Sequence, residues 1–544
     1  FIMMKLNKKY IFLLLALSSI LFSLPWFSHF SGIILFIAFI PLLIIERLYY
    51  ENRDHNKSVP VLLYSTVVFI IWNISDIYWI KNSTFFGAVA AVVIGSFLMA
   101  MAFWFFHISH RKLGHGAGYF SLIAYWTTFE FIYLKSENLS FPWLSLGNGF
   151  AGDIKLIQWY EFTGSTGATP WVLIINILLF IVIWEYIQKG SIRNRIKELV
   201  LVILVIIIPL TYSIIRFQTY QEGTDTKEFV ILQPNIDPYE EKFVEMPMDE
   251  QMQILLQLAD SMTDAETDYI VGPETALNDN IWENSLGWNK SILSLKQFIS
   301  SHPRLKIVIG LTSMYEYGKD ETPAPMARKF QGTDGYYSVH NASIQVDSSD
   351  NYQIYHKSKL VVGVEKVPFP WVLDHMEKFI IKLGGTTRGY TPQPERSTLN
   401  DINSNTKIGT PICYESVYGE FVTGFVKKGA NILAIVTNDG WWGDTPGYKQ
   451  LLSFASLRAI ETRRSIARSA NTGISCFINQ KGEILQATDY WVPAVIKGEL
   501  STNEEITFYV KHGDFLSRIF SFFGIITILY TIVASLIANK KNKV

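Results

Sequence analysis

The chain has 544 residues, 49% of them apolar and 15% aromatic, with a mean hydropathy of +0.20 and a formal net charge of −1 at pH 7. That length exceeds one ordinary domain, and that apolar content places part of the chain in lipid. A near-zero charge with no long basic tract excludes electrostatic binding of nucleic acid.

Taken in chain order, eight apolar stretches approach the roughly 20 residues that a bilayer-spanning helix needs. They cover 10–27, 30–47, 60–80, 84–107, 117–134, 169–187, 198–216 and 514–537. The expected organisation is a membrane domain of seven spans over 1–217, an exported domain over 218–511, and an eighth span with a cytoplasmic tail over 512–544. The basic segments "MKLNKKY", "ERLYYENRDHNK", "HRKLGH", "QKGSIRNRIK" and "NKKNKV" alternate with weakly charged connections such as "KNS". Lys and Arg accumulate on the cytoplasmic side of a membrane, so both termini are placed inside and the large domain outside. No small-residue cleavage site follows the first span, which therefore reads as an uncleaved anchor. The three residues ahead of Met4 read as a cloning remnant or a misread start.

From about residue 228 short β-rich runs alternate with amphipathic helices. "EFVILQPN", "DYIVGPE", "KIVIGLTS", "NASIQVDSS", "KIGTPICYE", "NILAIVTND" and "SIARSANTGISCFIN" read as strands. "MDEQMQILLQLADSM", "NKSILSLKQFISSH", "YGEFVTGFVKKG" and "YKQLLSFASLRAIETRR" have helical spacing. This alternation implies an α/β domain with a layered sheet core.

Reactive side chains of α/β proteins sit where buried strands end, because the sheet is rigid and the next loop is open. Three such ends stand out: Glu274 in "YIVGPETAL", Lys357 and Lys359 in "YQIYHKSKLVVGVEKVPF", and Cys413 with Glu415 in "GTPICYES". Each has an ordinary alternative. A glutamate can open a helix, a basic turn can be solvated, a cysteine can pack as a small hydrophobe, and Glu415 can pair with either lysine. Together they are what acyl transfer through a thioester requires. A thiolate attacks, a carboxylate with its pKa raised by burial takes the proton, and an ammonium with a main-chain N–H holds the oxyanion. His356 is the one histidine in these stretches, so a Cys-His pair is less natural.

Only two cysteines exist, Cys413 and Cys476, so a disulfide would consume the proposed nucleophile and both thiols are expected to stay unbridged. The ten histidines show no metal-ligand spacing. No metal and no cofactor are expected.

Glu in "PET", Lys in "YHK" and Cys in "CYE", in that order, resemble the nitrilase superfamily, whose members fold as a four-layer αββα sandwich and use a Glu-Lys-Cys triad. Combined with the membrane frame, the chain resembles the apolipoprotein N-acyltransferase family. "FPWLSLGNG", Trp126 with Glu130 in "YWTTFEF", "TNDGWWGDTPG" and "RAIETRRSIARSANTGIS" are similar to that family's segments. The resemblance implies a polytopic helical membrane domain plus an exported nitrilase-like αββα domain. It implies Glu274 as general base, Lys357 as oxyanion stabiliser and Cys413 as nucleophile, with Glu365, Tyr414 and Glu415 as supporting active-site positions. The implied partners are a phospholipid acyl donor, a diacylglyceryl apolipoprotein acceptor and the membrane, here the bacterial cytoplasmic (inner) membrane with the catalytic domain on the periplasmic side. Two departures stand out: "LVVGVE" replaces the family's L-V-P-F-G-E, and Tyr133 stands where an arginine is common. Lys357 is favoured over Lys359 by its spacing to Glu365.

An acyl chain leaves a bilayer at about 0.8 kcal/mol per methylene, so the site must face lipid. Trp441, Trp442, Trp143 and Trp371 are candidates to line that opening, because indoles favour the interface. Glu130 and Asp76 lie inside apolar spans, where a carboxylate needs a purpose, a partner or a path to the interface. Two other functions compete. A membrane-tethered carbon-nitrogen hydrolase would use the same triad, and a transporter or receptor would use none of it. The second lacks paired Gly/Pro-broken spans.

Overall fold

The structure is a computed structural model that describes residues 7–27, 29–366 and 389–541. Trp371 lies outside the described residues. The chain forms two compact units. One comprises 1–78, 88–219 and 512–544; the other comprises 79–87 and 220–511.

The first unit is helical. Among the described residues seven helices, not eight, are long and apolar enough to cross a membrane. The stretch expected as the fifth span is a helix of 21 residues, His115–Lys135. Its mean hydropathy is lowered by side chains that pack inward, including Ser121, Thr127 and Glu130. Apolarity alone does not count it because protein groups, rather than lipid, receive these polar atoms. Glu130 Oε1 accepts from Trp126 Nε1 and from the main-chain N–H of Leu146, both at 3.0 Å, and Oε2 accepts from Thr169 Oγ1 at 2.5 Å. The carboxylate therefore ties three segments together rather than reaching for the interface. Asn176 does similar work at Phe39, where the helices Leu35–Ala38 and Ile40–Glu51 break. It accepts from the freed Phe39 N–H at 2.9 Å and donates to Leu35 O at 2.7 Å.

Among the described residues the second unit shows fourteen strands in two sheets. They are β1 (Thr226–Gln233), β2 (Tyr269–Val271), β3 (Leu277–Trp282), β4 (Lys306–Glu316), β5 (Arg328–Lys329), β6 (Tyr336–Val346) and β7 (Gln353–His356), then β8 (Thr398–Asn400), β9 (Lys407–Gly409), β10 (Ile432–Thr437), β11 (Ile466–Ala470), β12 (Cys476–Ile478), β13 (Ile484–Leu485) and β14 (Ala494–Ser501). The first sheet runs β14-β1-β2-β4-β6-β5, with β3 paired to β4 and β7 to β6; the second runs β13-β12-β11-β10-β9-β8.

Alternation along each strand explains the layers. Val230, Leu232, Ile270, Ile307, Ile309, Leu311, Ala342 and Ile344 share one face and pack under the helices Met248–Met262 and Lys290–Ser300 through Leu255, Ile292, Leu295 and Ile299. The other helices, Gly419–Lys427 and Pro446–Thr462, accompany the second sheet. The result is the αββα arrangement.

Two strand readings change. "SIARSANTGISCFIN" is not one strand but β11 and β12, antiparallel, with Arg468 opposite Cys476 and the turn at "NTG" between them. "KIGTPICYE" stays extended only through Gly409, apart from a bridge of Ile412 to Val436, and then tightens into the helical turn Cys413–Val417.

Gly310 in β4 sets how closely the chain after β2 approaches the sheet. A Cβ there would sit 2.6 Å from Glu274 Cα and Pro273 O, and 2.7 Å from Thr275 N. These are main-chain atoms that cannot swing aside. Gly310→Ala is therefore expected to destabilise this unit by about 1–3 kcal/mol, read as a lowered Tm in detergent with loss of Glu274-dependent chemistry.

Candidate active site

Glu274 lies three residues beyond β2, at the segment that Gly310 admits. Thr275 beside it has φ 49°, a left-handed conformation unusual for a branched residue. Both carboxylate oxygens of Glu274 are engaged. Oε1 accepts from Lys357 Nζ at 2.9 Å and Asn341 Nδ2 at 2.7 Å, and Oε2 from the main-chain N–H of Asn438 at 3.0 Å. The Cys413 thiol is among the neighbours that lower the Glu274 carboxyl.

Lys357 follows β7 directly, and its main-chain N–H donates to Asn341 O at 2.8 Å. Its ammonium, 1% exposed, donates to Glu274 Oε1 and Glu365 Oε1, both at 2.9 Å. An ammonium has three protons, and among the described residues these two carboxylates take two of them. Glu365 reaches this position without the proline of the familiar loop. Gly363 adopts φ 87°, and Glu365 Oε2 accepts from the Val361 N–H at 2.8 Å, which closes the turn. Lys359 points elsewhere, its ammonium 5.6 Å from the Tyr418 ring.

Cys413 opens the turn Cys413–Val417 with φ 49°, a strained elbow that presents the side chain while keeping it 7% exposed. Glu415, wholly buried, secures the elbow. Its Oε2 accepts from the Ile412 N–H at 2.9 Å, and its Oε1 accepts from the N–H groups of Ser358 at 2.6 Å and Lys359 at 3.0 Å and from Tyr355 OH at 2.8 Å. One carboxylate thus fastens the segment bearing Cys413 to the segment bearing Lys357. It pairs with lysine main chain, not with a lysine side chain. Tyr414 accepts from Tyr418 OH at 3.0 Å.

Burial governs the charges. It pushes Cys413 up, the Glu274 charge adds to this, and Lys357 opposes it, so the resting sulfur is a thiol. Burial would also raise Glu274, but Lys357, Asn341 and Cys413 outweigh it and hold the carboxyl below its ordinary value. This reverses the direction expected of a buried base; the ammonium 2.9 Å away is the reason. Lys357 is lowered by burial but raised further by Glu274 and Glu365, and stays charged. Burial lifts Glu415 to about 7 against its N–H donors.

The aromatic candidates divide. Trp441 and Trp442 follow Asp439, which Arg468 pairs at 2.8 Å. Both indoles are half-buried. Trp441 stacks on Phe243 at 6.0 Å and meets Tyr239 edge-on at 5.0 Å, while Trp442 packs on Trp79 at 4.6 Å. Asn82 Nδ2 and Ser83 Oγ donate to the carbonyls of Trp442 and Trp441 at 2.7 and 3.3 Å. Trp143 is completely buried in the helical unit, stacked on Phe141 at 5.5 Å.

Two site residues had not been read from the sequence. Asn341 Nδ2 donates to Glu274 and, at 2.9 Å, to Glu365, keeping two carboxylates in register; a polar residue at an inward phase of "NASIQ" was the available signal. Lys242 sits in the acidic run "YEEKFVEM" and reads as solvated, yet it is 3% exposed and donates to the Glu274 carbonyl at 2.9 Å. Both cysteines are free and buried.

Profile comparison matches residues 18–178 to the apolipoprotein N-acyltransferase N-terminal domain and residues 231–506 to the carbon-nitrogen hydrolase family. The apolipoprotein N-acyltransferase of Chlorobaculum tepidum is 27% identical over 496 residues, covering 89% of either chain. That of Haemophilus ducreyi is 24% identical over 82% of this chain and 83% of its own. The crystal structure of Saccharomyces cerevisiae Nit3, a nitrilase superfamily member, aligns to 52% of this chain and 92% of its own at 13% identity, with a TM-score of 0.36.

Two outcomes are expected. Glu274→Gln removes the negative charge that raises Cys413, so alkylation of that thiol by iodoacetamide shifts to lower pH. With Glu274 in the role of general base, acyl-thioester formation is nonetheless expected to fall by about 100-fold or more. Burial lowers Lys242 from 10.5 to about 7. Between those values the unfolded chain binds the extra proton, so this group makes stability rise with pH across that window. Lys242→Met is expected to flatten that rise in pH-dependent melts.

Proposed function

The chain belongs to the carbon-nitrogen hydrolase family and joins it to the N-terminal domain of apolipoprotein N-acyltransferases, and from that premise we propose that it moves an acyl chain from a phospholipid, through a Cys413 thioester, to the N-terminal amine of a diacylglyceryl-cysteine. The observation that carries this reading is the Glu274 carboxylate, bonded to Lys357 and electrostatically coupled to the Cys413 thiol, with all three side chains buried.

In the first half-reaction Glu274 takes the thiol proton as sulfur attacks the ester carbonyl of the donor. The oxyanion is held by the remaining proton of Lys357 and by the Tyr414 N–H. Collapse expels the lysophospholipid alkoxide, which recovers the proton from Glu274. In the second, the lipoprotein amine attacks the thioester, Glu274 takes its proton, and the thiolate leaves and is reprotonated. Glu365 keeps Lys357 charged during the interval when Glu274 is neutral. Exclusion of water favours an amine acceptor over hydrolysis.

The lipid setting fits this chemistry. Tyr239 and Phe243, 45% and 43% exposed, extend from Trp441 as an apolar surface on the catalytic unit suited to an acyl chain. The alternation of basic loops supports a multi-pass protein of the cytoplasmic membrane with this unit on the periplasmic side.

Intact-mass measurement after exposure to phospholipid vesicles is expected to show one acyl adduct on Cys413 that disappears when a diacylated lipopeptide amine is added. Cys413→Ala is expected to show none. Steady release of free fatty acid without amide product would make the protein a hydrolase instead. Lys357→Ala is expected to abolish the adduct and also to lower stability by about 3–5 kcal/mol, because two buried carboxylates lose their shared cation. Adding Glu365→Gln to it is expected to recover part of that stability but none of the activity.

A further inference from the structure

Behind Lys357, on the reverse face of its strand, three metal-type donors converge. His340 lies in β6 and His356 ends β7, each one residue before a site residue, Asn341 and Lys357 respectively. Neighbouring strand residues face opposite sides. The two imidazoles therefore turn away from the carboxylate cluster that Asn341 and Lys357 serve. Glu283 arrives directly after β3. One ligand atom each from Glu283, His340 and His356 lies within 4.8 Å of the other two.

The simplest account is an ordinary ion pair, since His356 Nε2 is 2.7 Å from Glu283 Oε1. That account leaves out His340. Its Nδ1 must donate to the Thr391 carbonyl, 2.7 Å away, which fixes the tautomer and leaves a lone pair on Nε2. A carbonyl on the far nitrogen is how metal-binding imidazoles are commonly oriented. Ser313 Oγ supports Glu283 Oε1 in the same manner at 2.6 Å. The histidine rings stack at 4.0 Å, so an entering ion would turn one ring about Cβ–Cγ and displace the proton shared by His356 and Glu283. The side chains of His356 and Glu283 are 21% and 12% exposed, which provides a route from solvent.

We propose that Glu283, His340 and His356 bind one divalent transition-metal ion. Two imidazoles and a carboxylate suit Zn2+, with water completing the tetrahedron. The ion would lock the end of β3 to β6 and β7, the strands that deliver Asn341 and Lys357. The proposal does not depend on the identity of the acyl donor or acceptor.

The test is calorimetric titration of EDTA-treated full-length protein in detergent with Zn2+. One saturable equivalent is expected. Ser313→Ala should weaken it about tenfold, and His340→Gln or Glu283→Gln roughly 100-fold or more. With Co2+ as probe, the wild-type protein should give the intense visible bands of a four-coordinate ion without a thiolate charge-transfer band, which separates this site from Cys413. No saturable equivalent, equal affinity in wild type and variants, or a spectrum of hydrated Co2+ overturns the proposal. The Co2+ spectrum needs only the wild-type chain, so it decides the matter even where a variant fails to fold.

Discussion

A single buried ammonium between two buried carboxylates constrains this catalytic unit more than any other contact. Neither Glu274 nor Glu365 could remain ionised away from water without Lys357, and Lys357 could not remain charged without them. Asn341 spans both acids, and the Asn438 N–H caps the free oxygen of Glu274. The strand order follows from this requirement. β2 and β7 in one sheet and β9 and β10 in the other must end beside the middle of β6, which carries Asn341, for these groups to meet.

The same charge balance explains why the Cys413 thiol, the proposed nucleophile, rests protonated. A thiolate beside Glu274 would set two negative charges against one ammonium, which burial penalises. The proton therefore moves only when an acyl carbonyl arrives to accept the electron pair. For a protein whose substrates are held in a membrane, a nucleophile silent toward water is an advantage. A resting thiolate would also be more open to oxidation.

Much of this was legible from the sequence, for definable reasons. Glu274, Lys357 and Cys413 follow apolar runs, so their position at sheet ends could be inferred from local pattern. Glu365 came from the family resemblance, although the loop around it departs from the familiar one. What local pattern does not contain is burial decided by distant segments. Trp143 looked interfacial because indoles often are, yet its surroundings come from Phe141, Trp26 and Asn148. The helix His115–Lys135 looked like any other span, though it meets protein partners where lipid was assumed. Lys242 resembles a solvated residue in every respect except its tertiary position. Glu283, His340 and His356 are too widely separated in the chain for any spacing rule to connect them. β14 passed unnoticed because "AVIKGELS" mixes charge into its alternation, as an edge strand beside β1 can.

The Glu415 clasp has a mechanical corollary. The elbow at Cys413 and the loop after β7 hang from one carboxylate through four short bonds, so a push on either segment displaces both together. Sulfur and ammonium then travel as a single rigid jaw. A wide acyl chain and, later, a bulky peptide terminus can each prise the opening apart without changing the bite at its hinge.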